Sequence, residues 1–283
     1  MRKQKKRTDL SILIFEKVPK ATKVFISSLL NICKTNWYKE NHKLRTKDEI
    51  LKSQILKVLE NNPSYGHRRI AMELKVGKNR VRKVMKLNNI KPFKRKARWT
   101  KRRDYGNPPA LYPNLIKGSC PIVPEAVLVG DFTRISYKDR VLYLATYMDI
   151  YTREVVGWNV STKHTAEFVM NALFDAVKTL GKLPKIVHTD QGSEYQSKDY
   201  IQMLSKLGIQ VSMSKKASPW ENAYQESFYD NFKTDLGLEF DRFEGVGELI
   251  EAIHQTINYY NNRRIHTALK MPPSKYKSLN LPV

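Results

Sequence analysis

Three carboxylate residues, Asp131, Asp190 and Glu226, have the chemical type and the spacing that metal-assisted phosphodiester chemistry requires. Asp131 follows the apolar run 126–129 and Asp190 follows the short strand pattern 185–188, so we expect both at the ends of buried strands. Three carboxylates can hold two hard cations, with phosphate oxygens and water filling the remaining positions. One cation can then activate an attacking oxygen while the other stabilises the leaving oxygen.

Glu226 lies on a predicted helix whose apolar stripe is formed by Phe228, Phe232 and Leu236. At about 100° per residue, Glu226 points well away from that stripe. Lys233 shares the face of Glu226 and is placed to meet a phosphate group. The alternative for any single acidic residue is a solvated surface charge, and the strands and helix around these three argue against it.

Three neighbours of the carboxylates have a second possible role each. His188 either ligates a metal or stabilises the end of its strand. Gly192 is expected to give the backbone geometry that lets DNA or a cation approach Asp190. Asn222 either touches a base or phosphate, or makes a contact in the first turn of its helix.

The positive charge of the chain is concentrated in its first part. The formal net charge is +24, and residues 1–104 hold 31 Lys and Arg against 8 Asp and Glu, whereas residues 105–283 hold 20 against 19. A polyanionic partner explains this asymmetry better than solubility does. A solvated basic surface or a binder of anionic membranes is the alternative.

Residues 46–90 are predicted to form a small helical domain. A capping-box signature begins a helix at Thr46, and two shorter helices follow over about 67–75 and 78–88, separated by Val76-Gly77. A short helix, a Gly-containing turn and a basic second helix are typical of helix-turn-helix DNA-binding domains. An ordinary helical hairpin is the alternative for this pattern.

The second of these helices and the tract after it supply the candidate DNA contacts. The positions of the helix that are predicted to pack inward are Val81, Val84, Met85 and Leu87. Its predicted DNA-contacting residues are Arg80, Arg82, Lys83 and Lys86. The basic tract adds Lys94, Arg95, Lys96, Arg98, Lys101, Arg102 and Arg103. Phe93 and Trp99, interleaved in this tract, either stack on bases or fix the linker to the catalytic domain.

From about residue 124 the hydrophobic pattern changes from helical to extended. The predicted strands cover residues 126–137, 140–150, 153–161, 185–190 and 209–213. Helices that begin after Thr165 and Ser197 alternate with the last two strands, which indicates a mixed α/β layer fold. A final amphipathic helix is predicted over residues 248–260.

Ordered motifs run through the whole second part of the chain. They are Asp131-Phe-Thr133, Tyr143-Leu-Ala145, Val156-Gly-Trp158, His188-Thr-Asp190-Gln-Gly-Ser-Glu-Tyr195, Asn222-Ala-Tyr-Gln-Glu226-Ser-Phe228 and Tyr260-Asn-Asn-Arg-Arg-Ile-His266-Thr-Ala-Leu269. With these motifs the chain resembles the IS-three family of bacterial insertion-sequence transposases, whose catalytic domain is similar to retroviral integrases. The resemblance runs from about residue 20 to the C-terminus. The chain departs from the usual family pattern at Leu128, Ala217, Glu221 and Ile265.

The resemblance implies an α/β fold class, with a ribonuclease-H-like catalytic core that follows an N-terminal all-α helix-turn-helix DNA-binding region. It implies a DDE transposase that binds the ends of its mobile element and catalyses DNA strand cleavage and strand transfer. Asp131, Asp190 and Glu226 would be the catalytic metal ligands, holding two Mg²⁺ or Mn²⁺ ions. The alternative is a DNA-binding regulator with an inactive nuclease-like domain.

The predicted organisation has five segments: a basic helical segment 1–45, a helix-turn-helix domain 46–90, a basic Pro-rich linker 91–123, a ribonuclease-H-like integrase catalytic domain 124–240 and a helical extension 241–283. In the extension, Arg263, Arg264 and His266 form a basic patch. This patch either binds transposon DNA or locks the C-terminal segment onto the core.

The implied partners are DNA, both transposon ends and target, and at least a second copy of the chain on that DNA. Family members often come from two overlapping reading frames, so the helix-turn-helix protein of an upstream frame is a further candidate partner. Cys33 and Cys120 are too few for a disulfide framework, and no 18-residue apolar run is present. These observations favour a reduced cytoplasmic setting without a membrane span, and the resemblance implies a bacterial, nucleoid-associated protein. The His-His-Cys-Cys zinc module of retroviral integrases is absent from the sequence, so no structural zinc is expected.

Overall fold

The computed structural model describes residues 25, 28–30, 46–93, 111–118, 123–215, 222–237 and 240–280 of the chain. Most of the helix predicted over residues 20–45 and most of the predicted linker lie outside these residues. Within the described part, three helices precede a five-stranded mixed sheet that has helices on both faces. None of the described helices is long and apolar enough to cross a membrane.

The N-terminal unit consists of α1 (Thr46–Asn61), α2 (His67–Glu73) and α3 (Lys78–Leu87). Its core is formed by Leu51, Ile55, Val58, Tyr65, Ile70, Ala71, Val81, Val84 and Met85, with Ile265 added from the C-terminal part of the chain. The prediction that Leu87 packs inward is wrong, because its side chain is 52% exposed. At about 100° per residue, Leu87 lies well off the side defined by Val81 and Val84.

The sheet has the strand order β3-β2-β1-β4-β5. Its strands are β1 (Val127–Tyr137), β2 (Arg140–Asp149), β3 (Val155–Ser161), β4 (Ile186–Thr189) and β5 (Gln210–Met213). The first three strands pair antiparallel, and β4 and β5 then run parallel to β1. The mixed α/β pattern that was predicted from the alternation of strands and helices is confirmed.

Two layers of helices cover the sheet. α4 (Ala166–Leu180) and α5 (Lys198–Lys206) pack on one face, in a core with Leu128, Ala145, Tyr147 and Val187. α6 (Ala223–Leu236) and α7 (Val246–Asn262) pack on the other face, in a core with Ile135, Leu142, Leu144 and Met148. Because side chains alternate along β1 and β2, each strand contributes to both cores.

Local chemistry explains where the helices on the first face begin and end. The Thr165 side chain accepts the backbone N–H of Phe168 at the start of α4, and Gly181 ends the helix in the left-handed region with φ of 67°. Gly157 of β3 faces α4 so closely that an added Cβ would lie 2.5 Å from the carbonyl oxygen of Ala172. A larger residue at position 157 would therefore push the helix off the sheet.

The C-terminal part differs from the sequence-based expectation in one element. The predicted final helix extends over Val246–Asn262 as α7, but it is followed by α8 (Pro273–Asn280), which packs against it. Pro273 occupies the first position of α8, where its missing N–H costs nothing. The prediction missed α8 because an eight-residue helix is too short to establish a periodic apolar face.

Candidate active site

The register of the sheet brings the first two carboxylates side by side. In the parallel ladder between β1 and β4, Val129 pairs with His188. Continuing this register by two residues places Asp131 beside Asp190, on neighbouring strands about 4.8 Å apart. Asp190 directly follows the end of β4, as predicted, whereas Asp131 lies in the middle of the 11-residue strand β1. The site therefore lies just beyond the point where the pairing between β1 and β4 ends.

Asp131 is half-buried and surrounded by negative charge. Its Oδ1 accepts the backbone N–H of Phe132 at 2.8 Å. Burial, then the charge of Asp190 and more weakly that of Glu226, raise the pKa of Asp131 to about 8, against the opposing effects of the Phe132 N–H and Lys233. Because ionisation of this carboxyl group is costly, a bound cation would strongly stabilise its ionised form.

Asp190 is held by the turn that follows β4. Its Oδ1 accepts the backbone N–H of Gly192 at 2.9 Å. Burial raises the pKa of Asp190; this N–H opposes the shift, and the nearby carboxylate of Glu194 adds to it. An added Cβ at Gly192 would lie 2.9 Å from Glu194 Oε2 and 3.2 Å from Asp190 Oδ1. The absence of a side chain at position 192 thus makes room for two carboxylates as well as for the turn.

Glu226 lies in the first turn of α6, and its side chain is exposed, as the position of the apolar stripe predicted. Phe228, Phe232 and Leu236 are buried on the opposite side of this helix. Asp190 and Glu226 are both close enough for their charges to act on Asp131. Among the residues that the structure describes, no three His, Cys, Asp or Glu side chains are close enough to enclose a metal ion. Binding of cations would therefore require the carboxylates to turn towards one another.

Glu194 and His164 are residues of the site that sequence reasoning missed. Glu194 is only 5% exposed, and its carboxylate pairs with Nδ1 of His164. The His164 ring stacks on Phe132 with ring centroids 6.1 Å apart. The sequence feature that could have indicated Glu194 is its position, since it is an acidic residue only four positions after Asp190. The pair adds a fourth carboxylate beside Asp190.

His188 and Asn222 are both buried. His188 Nδ1 lies 2.8 Å from the hydroxyl of Ser212 on β5, a contact that favours the strand-stabilising alternative for this residue. Asn222 occupies the position before α6, but its side chain does not cap the helix and its Oδ1 has no hydrogen-bond partner. With 5% of its surface exposed, Asn222 offers little area to DNA, and its contact with a base or phosphate stays a prediction.

The basic residues of the predicted DNA-binding surface differ in their surroundings. Arg82, Lys83 and Lys86 are exposed on α3. Arg80 is exposed as well but pairs with Asp48 of α1 at 3.0 Å. Lys233 donates to the carbonyl oxygen of Arg134 at 3.0 Å and lies near the carboxylates. The residues of the basic tract lie outside the described part of the chain: Lys94, Arg95, Lys96, Arg98, Lys101, Arg102 and Arg103.

The predicted C-terminal basic patch is corrected at two positions. Arg263 is exposed, but Arg264 is only 2% exposed and its guanidinium contacts Asp235 and Asn231. Burial and nearby arginines, above all Arg153, lower the pKa of His266 to about 4, so it carries no charge near neutral pH. Arg264 therefore locks the C-terminal segment onto the core instead of contacting DNA, because a buried and paired cation cannot reach a phosphate.

Models of known protein families match the part of the chain that contains these carboxylates. A model of the integrase core domain matches residues 123–219, and a second integrase core domain model matches residues 207–273. The chain is 35% identical over 238 residues to the transposase for insertion sequence element IS904 of Lactococcus lactis subsp. lactis (strain IL1403), covering 80% of this chain and 92% of that protein. It is 30% identical to the putative transposase InsK for insertion sequence element IS150 of Escherichia coli (strain K12), covering 77% and 79% respectively.

Solved structures of retroviral integrases resemble the chain in fold. The simian T-cell lymphotropic virus intasome, in complex with PP2A regulatory subunit B56 gamma, has a TM-score of 0.51 at 16% identity, covering 81% of this chain and 76% of that chain. The HTLV-2 integrase catalytic core domain in complex with magnesium has a TM-score of 0.46 at 20% identity, covering 54% and 97%. The fold of the catalytic region is ribonuclease-H-like, as expected. The chain belongs to the family of insertion-sequence transposases that carry an integrase core domain.

Proposed function

We propose that the chain is a DDE transposase that binds the ends of its own mobile element, cuts them and joins them to target DNA. Water attacks a phosphodiester bond, which releases a 3′-hydroxyl group at the element end. That hydroxyl then attacks a second phosphodiester bond, displacing a new 3′-hydroxyl without a covalent protein intermediate. The observation that carries this proposal is the arrangement of Asp131 on β1, Asp190 directly after β4 and Glu226 on α6 of an integrase-like core.

The electrostatics of the carboxylates fit divalent cations. The raised pKa of Asp131 reflects burial first and then repulsion from Asp190 and Glu226, and a bound positive charge would oppose both effects. We propose that these three residues hold two Mg²⁺ or Mn²⁺ ions, because oxygen ligands suit hard cations. When bound, the ions would activate the attacking oxygen and stabilise the leaving oxygen. Lys233, which lies near Asp131, is placed to neutralise a phosphate at the same site.

We assign DNA anchoring to the exposed basic face of α3. Arg82, Lys83 and Lys86 project from a helix whose opposite side is buried in the N-terminal core. This arrangement suits the recognition helix of a helix-turn-helix unit in the major groove. The net charge of residues 1–104 supplies non-specific attraction to the phosphate backbone. We further propose that the chain acts on the bacterial nucleoid, as at least a dimer on DNA and alongside any upstream-frame protein of its element.

A strand-transfer assay separates this proposal from the alternative of a DNA-binding regulator with an inactive nuclease-like domain. The substrate is a labelled duplex that ends in the terminal sequence of the encoding element, incubated with Mg²⁺ and plasmid target. We expect labelled DNA to become joined to the plasmid in the presence of Mg²⁺ and not in the presence of EDTA. Specific binding of the duplex without any joining, in either Mg²⁺ or Mn²⁺, would support the regulator instead.

A further inference from the structure

α6 presents two neutral polar residues to the sheet, one directly before Glu226 and one three positions after it. Gln225 precedes Glu226 directly and is fully buried, and Tyr229 follows one turn after Gln225 and is 7% exposed. Buried polar side chains need hydrogen-bond partners, so their contacts reveal what holds this part of the helix in place. All of these contacts lead to the strand that carries Asp131 or to its neighbour.

Gln225 reaches both central strands. Its Nε2 donates to the carbonyl oxygen of Val129 at 2.5 Å and to that of Thr146 at 3.2 Å. Its Oε1 accepts the hydroxyl of Thr146 at 3.1 Å. Val129 lies on β1, two residues before Asp131, and Thr146 is the residue of β2 that pairs with Asp131 across the ladder. One side chain of α6 is thus tied to both strands beside the first carboxylate.

Tyr229 makes an equivalent set of contacts one turn further along. Its hydroxyl donates to the carbonyl oxygen of Asp131 itself at 2.7 Å and lies 3.3 Å from that of Leu144. It also lies 2.9 Å from the hydroxyl of Thr146. That hydroxyl has one proton, which it can donate to Gln225 Oε1 or to the Tyr229 oxygen, so Thr146 contacts both residues. A carbonyl oxygen has two lone pairs, so these bonds are compatible with the sheet ladder.

We propose that Gln225, Tyr229 and Thr146, here called the helix clamp, are positioning residues that set the distance between Glu226 and Asp131. This inference rests on the proposed function, since it assumes that the two carboxylates share metal ions. Glu226 is exposed, and the clamp contacts are buried hydrogen bonds that tie its helix to the strand segment around Asp131. A metal site works only when its ligands are held within about 0.5 Å of the productive geometry.

The uncharged chemistry of the clamp suits this role. A lysine or arginine at position 225 or 229 would lie beside Asp131 and compete with the cations, and an acid would add to the repulsion that already raises the pKa of Asp131. Amide and hydroxyl groups hold the helix without changing the charge of the site. They also do not titrate between pH 5 and 9, so the clamp bonds themselves do not depend on pH in that range.

The test compares clamp variants of the full chain with a matched control. Gln225→Met and Tyr229→Phe remove the clamp bonds with little change of volume, and Thr146→Val removes the bridging hydroxyl while Thr146→Ser keeps it. Tyr200→Phe is the control, because it removes a buried hydroxyl that lies 2.8 Å from that of Tyr147 in the core on the other face of the sheet. For each variant we would measure the melting temperature, the Mg²⁺ concentration that gives half-maximal strand cleavage, and the cleavage rate at saturating Mg²⁺.

We expect each clamp variant to raise the half-maximal Mg²⁺ concentration about 10- to 100-fold, the usual effect of losing residues that orient metal ligands. Thr146→Ser should behave like the wild type, and Tyr200→Phe should lower the melting temperature without changing the Mg²⁺ requirement. The proposal is overturned if a clamp variant has the same half-maximal Mg²⁺ concentration as Tyr200→Phe when the two variants have equally lowered melting temperatures. If Gln225→Met does not fold, Tyr229→Phe and the Thr146 pair decide the question.

A failure of the proposed function can be distinguished from a failure of the clamp proposal. If the wild type showed no metal-dependent cleavage of the end duplex, the assigned activity would be wrong. The clamp would then be judged by Mn²⁺ binding to the wild type and to the same variants, measured by electron paramagnetic resonance in the presence of the duplex. Weaker Mn²⁺ binding in the clamp variants alone supports the clamp, and equal binding in all variants contradicts it.

Discussion

The two ends of α6 are attached to the rest of the molecule by different chemistry. Near Glu226, the attachment is uncharged and consists of the Gln225 and Tyr229 bonds to β1 and β2. Near the other end, Asp235 forms a buried ion pair with Arg264. The uncharged bonds add no charge beside the proposed metal ligands, whereas the ion pair lies at the far end of the helix and joins separate segments of the chain.

The charged end of α6 joins three parts of the chain. The hydroxyl of Ser64, from the N-terminal unit, donates to Asp235 Oδ1 at 2.5 Å, and Arg264 donates to Asn231 at 2.8 Å. Arg69 of α2 donates to the carbonyl oxygen of Ile265 at 3.0 Å. The N-terminal unit is therefore attached directly to the helix that carries Glu226. DNA held by α3 would be held at a defined position relative to the catalytic carboxylates.

The largest effect that we predict comes from breaking the charged end. Arg264→Met leaves Asp235 buried without its cation, which should lower the free energy of unfolding by about 3–5 kcal/mol. Urea denaturation followed by circular dichroism measures this. Arg263→Met is the matched control, because Arg263 is exposed, and it should change stability by no more than about 0.5 kcal/mol.

The double variant Arg264→Met with Asp235→Leu sharpens this prediction. Removing both charges leaves no uncompensated buried ion, so we expect the double variant to be more stable than Arg264→Met alone. Equal stability of Arg264→Met and Arg263→Met would mean that the ion pair does not hold this end of α6 together.

A smaller effect is predicted for pH at the uncharged end. The pKa of Asp131 is raised from 3.8 to about 8 by burial and by its acidic neighbours. Since the unfolded chain releases this proton at lower pH than the folded chain, the contribution of Asp131 to stability falls as pH rises from about 4 to 8. Asp131→Asn should therefore gain stability relative to the wild type between pH 5 and pH 8.5 in EDTA.

We expect this relative gain to be at least about 1.4 kcal/mol, the equivalent of one pKa unit. Saturating Mg²⁺ should reduce the difference, because the cation favours the ionised form only in the wild type. Asp199→Asn, which removes an exposed carboxylate on α5, is the control and should show no such change with pH. An identical pH dependence of stability for Asp131→Asn and the wild type would show that Asp131 is ionised in the folded protein throughout this range.

The smallest effect on stability is predicted for the surface of α3. Arg82, Lys83 and Lys86 are exposed, so replacing all three by Ala should change the free energy of unfolding by no more than about 0.5 kcal/mol per residue. Affinity for the end duplex should nevertheless fall, and the slope of log affinity against log salt should decrease by about 3, one per lost phosphate contact. Fluorescence anisotropy at several salt concentrations measures both. An unchanged slope would remove α3 from the DNA interface.

Periodicity and turn chemistry explain why much of the fold was predictable. The strands appear in the sequence as short apolar runs between turns, and Thr165, Gly181 and Ser197 mark helix ends by local rules that the structure obeys. A shared function of Asp131 and Asp190 was predictable because each residue follows an apolar run. What one sequence could not supply was the register that places these two residues side by side, since register depends on contacts between distant segments.

The errors have a common physical cause. The sequence left open whether Arg264 binds DNA or locks the C-terminal segment, because a buried, paired arginine and an exposed one look the same in a sequence, and only the position of Asp235 distinguishes them. Gln225 and Tyr229 went unnoticed because neutral residues inside an amphipathic helix carry no signal of their own. Glu194 was missed because its burial depends on the turn at Gly192, which only the folded structure reveals. In each case the partner lies far away in sequence or is created by the fold.

The central claim is that Asp131, Asp190 and Glu226 act together as the metal-binding carboxylates of a DNA strand-transfer site. The most direct measurement is Mg²⁺-dependent joining of the end duplex to plasmid DNA by Asp131→Asn, Asp190→Asn and Glu226→Gln, with Asp199→Asn as control. Each of the first three changes removes one charge at nearly constant volume. We predict that all three abolish joining while binding of the duplex stays near the wild-type level, and that Asp199→Asn joins normally. Retained joining by any one of the three variants would contradict the assignment.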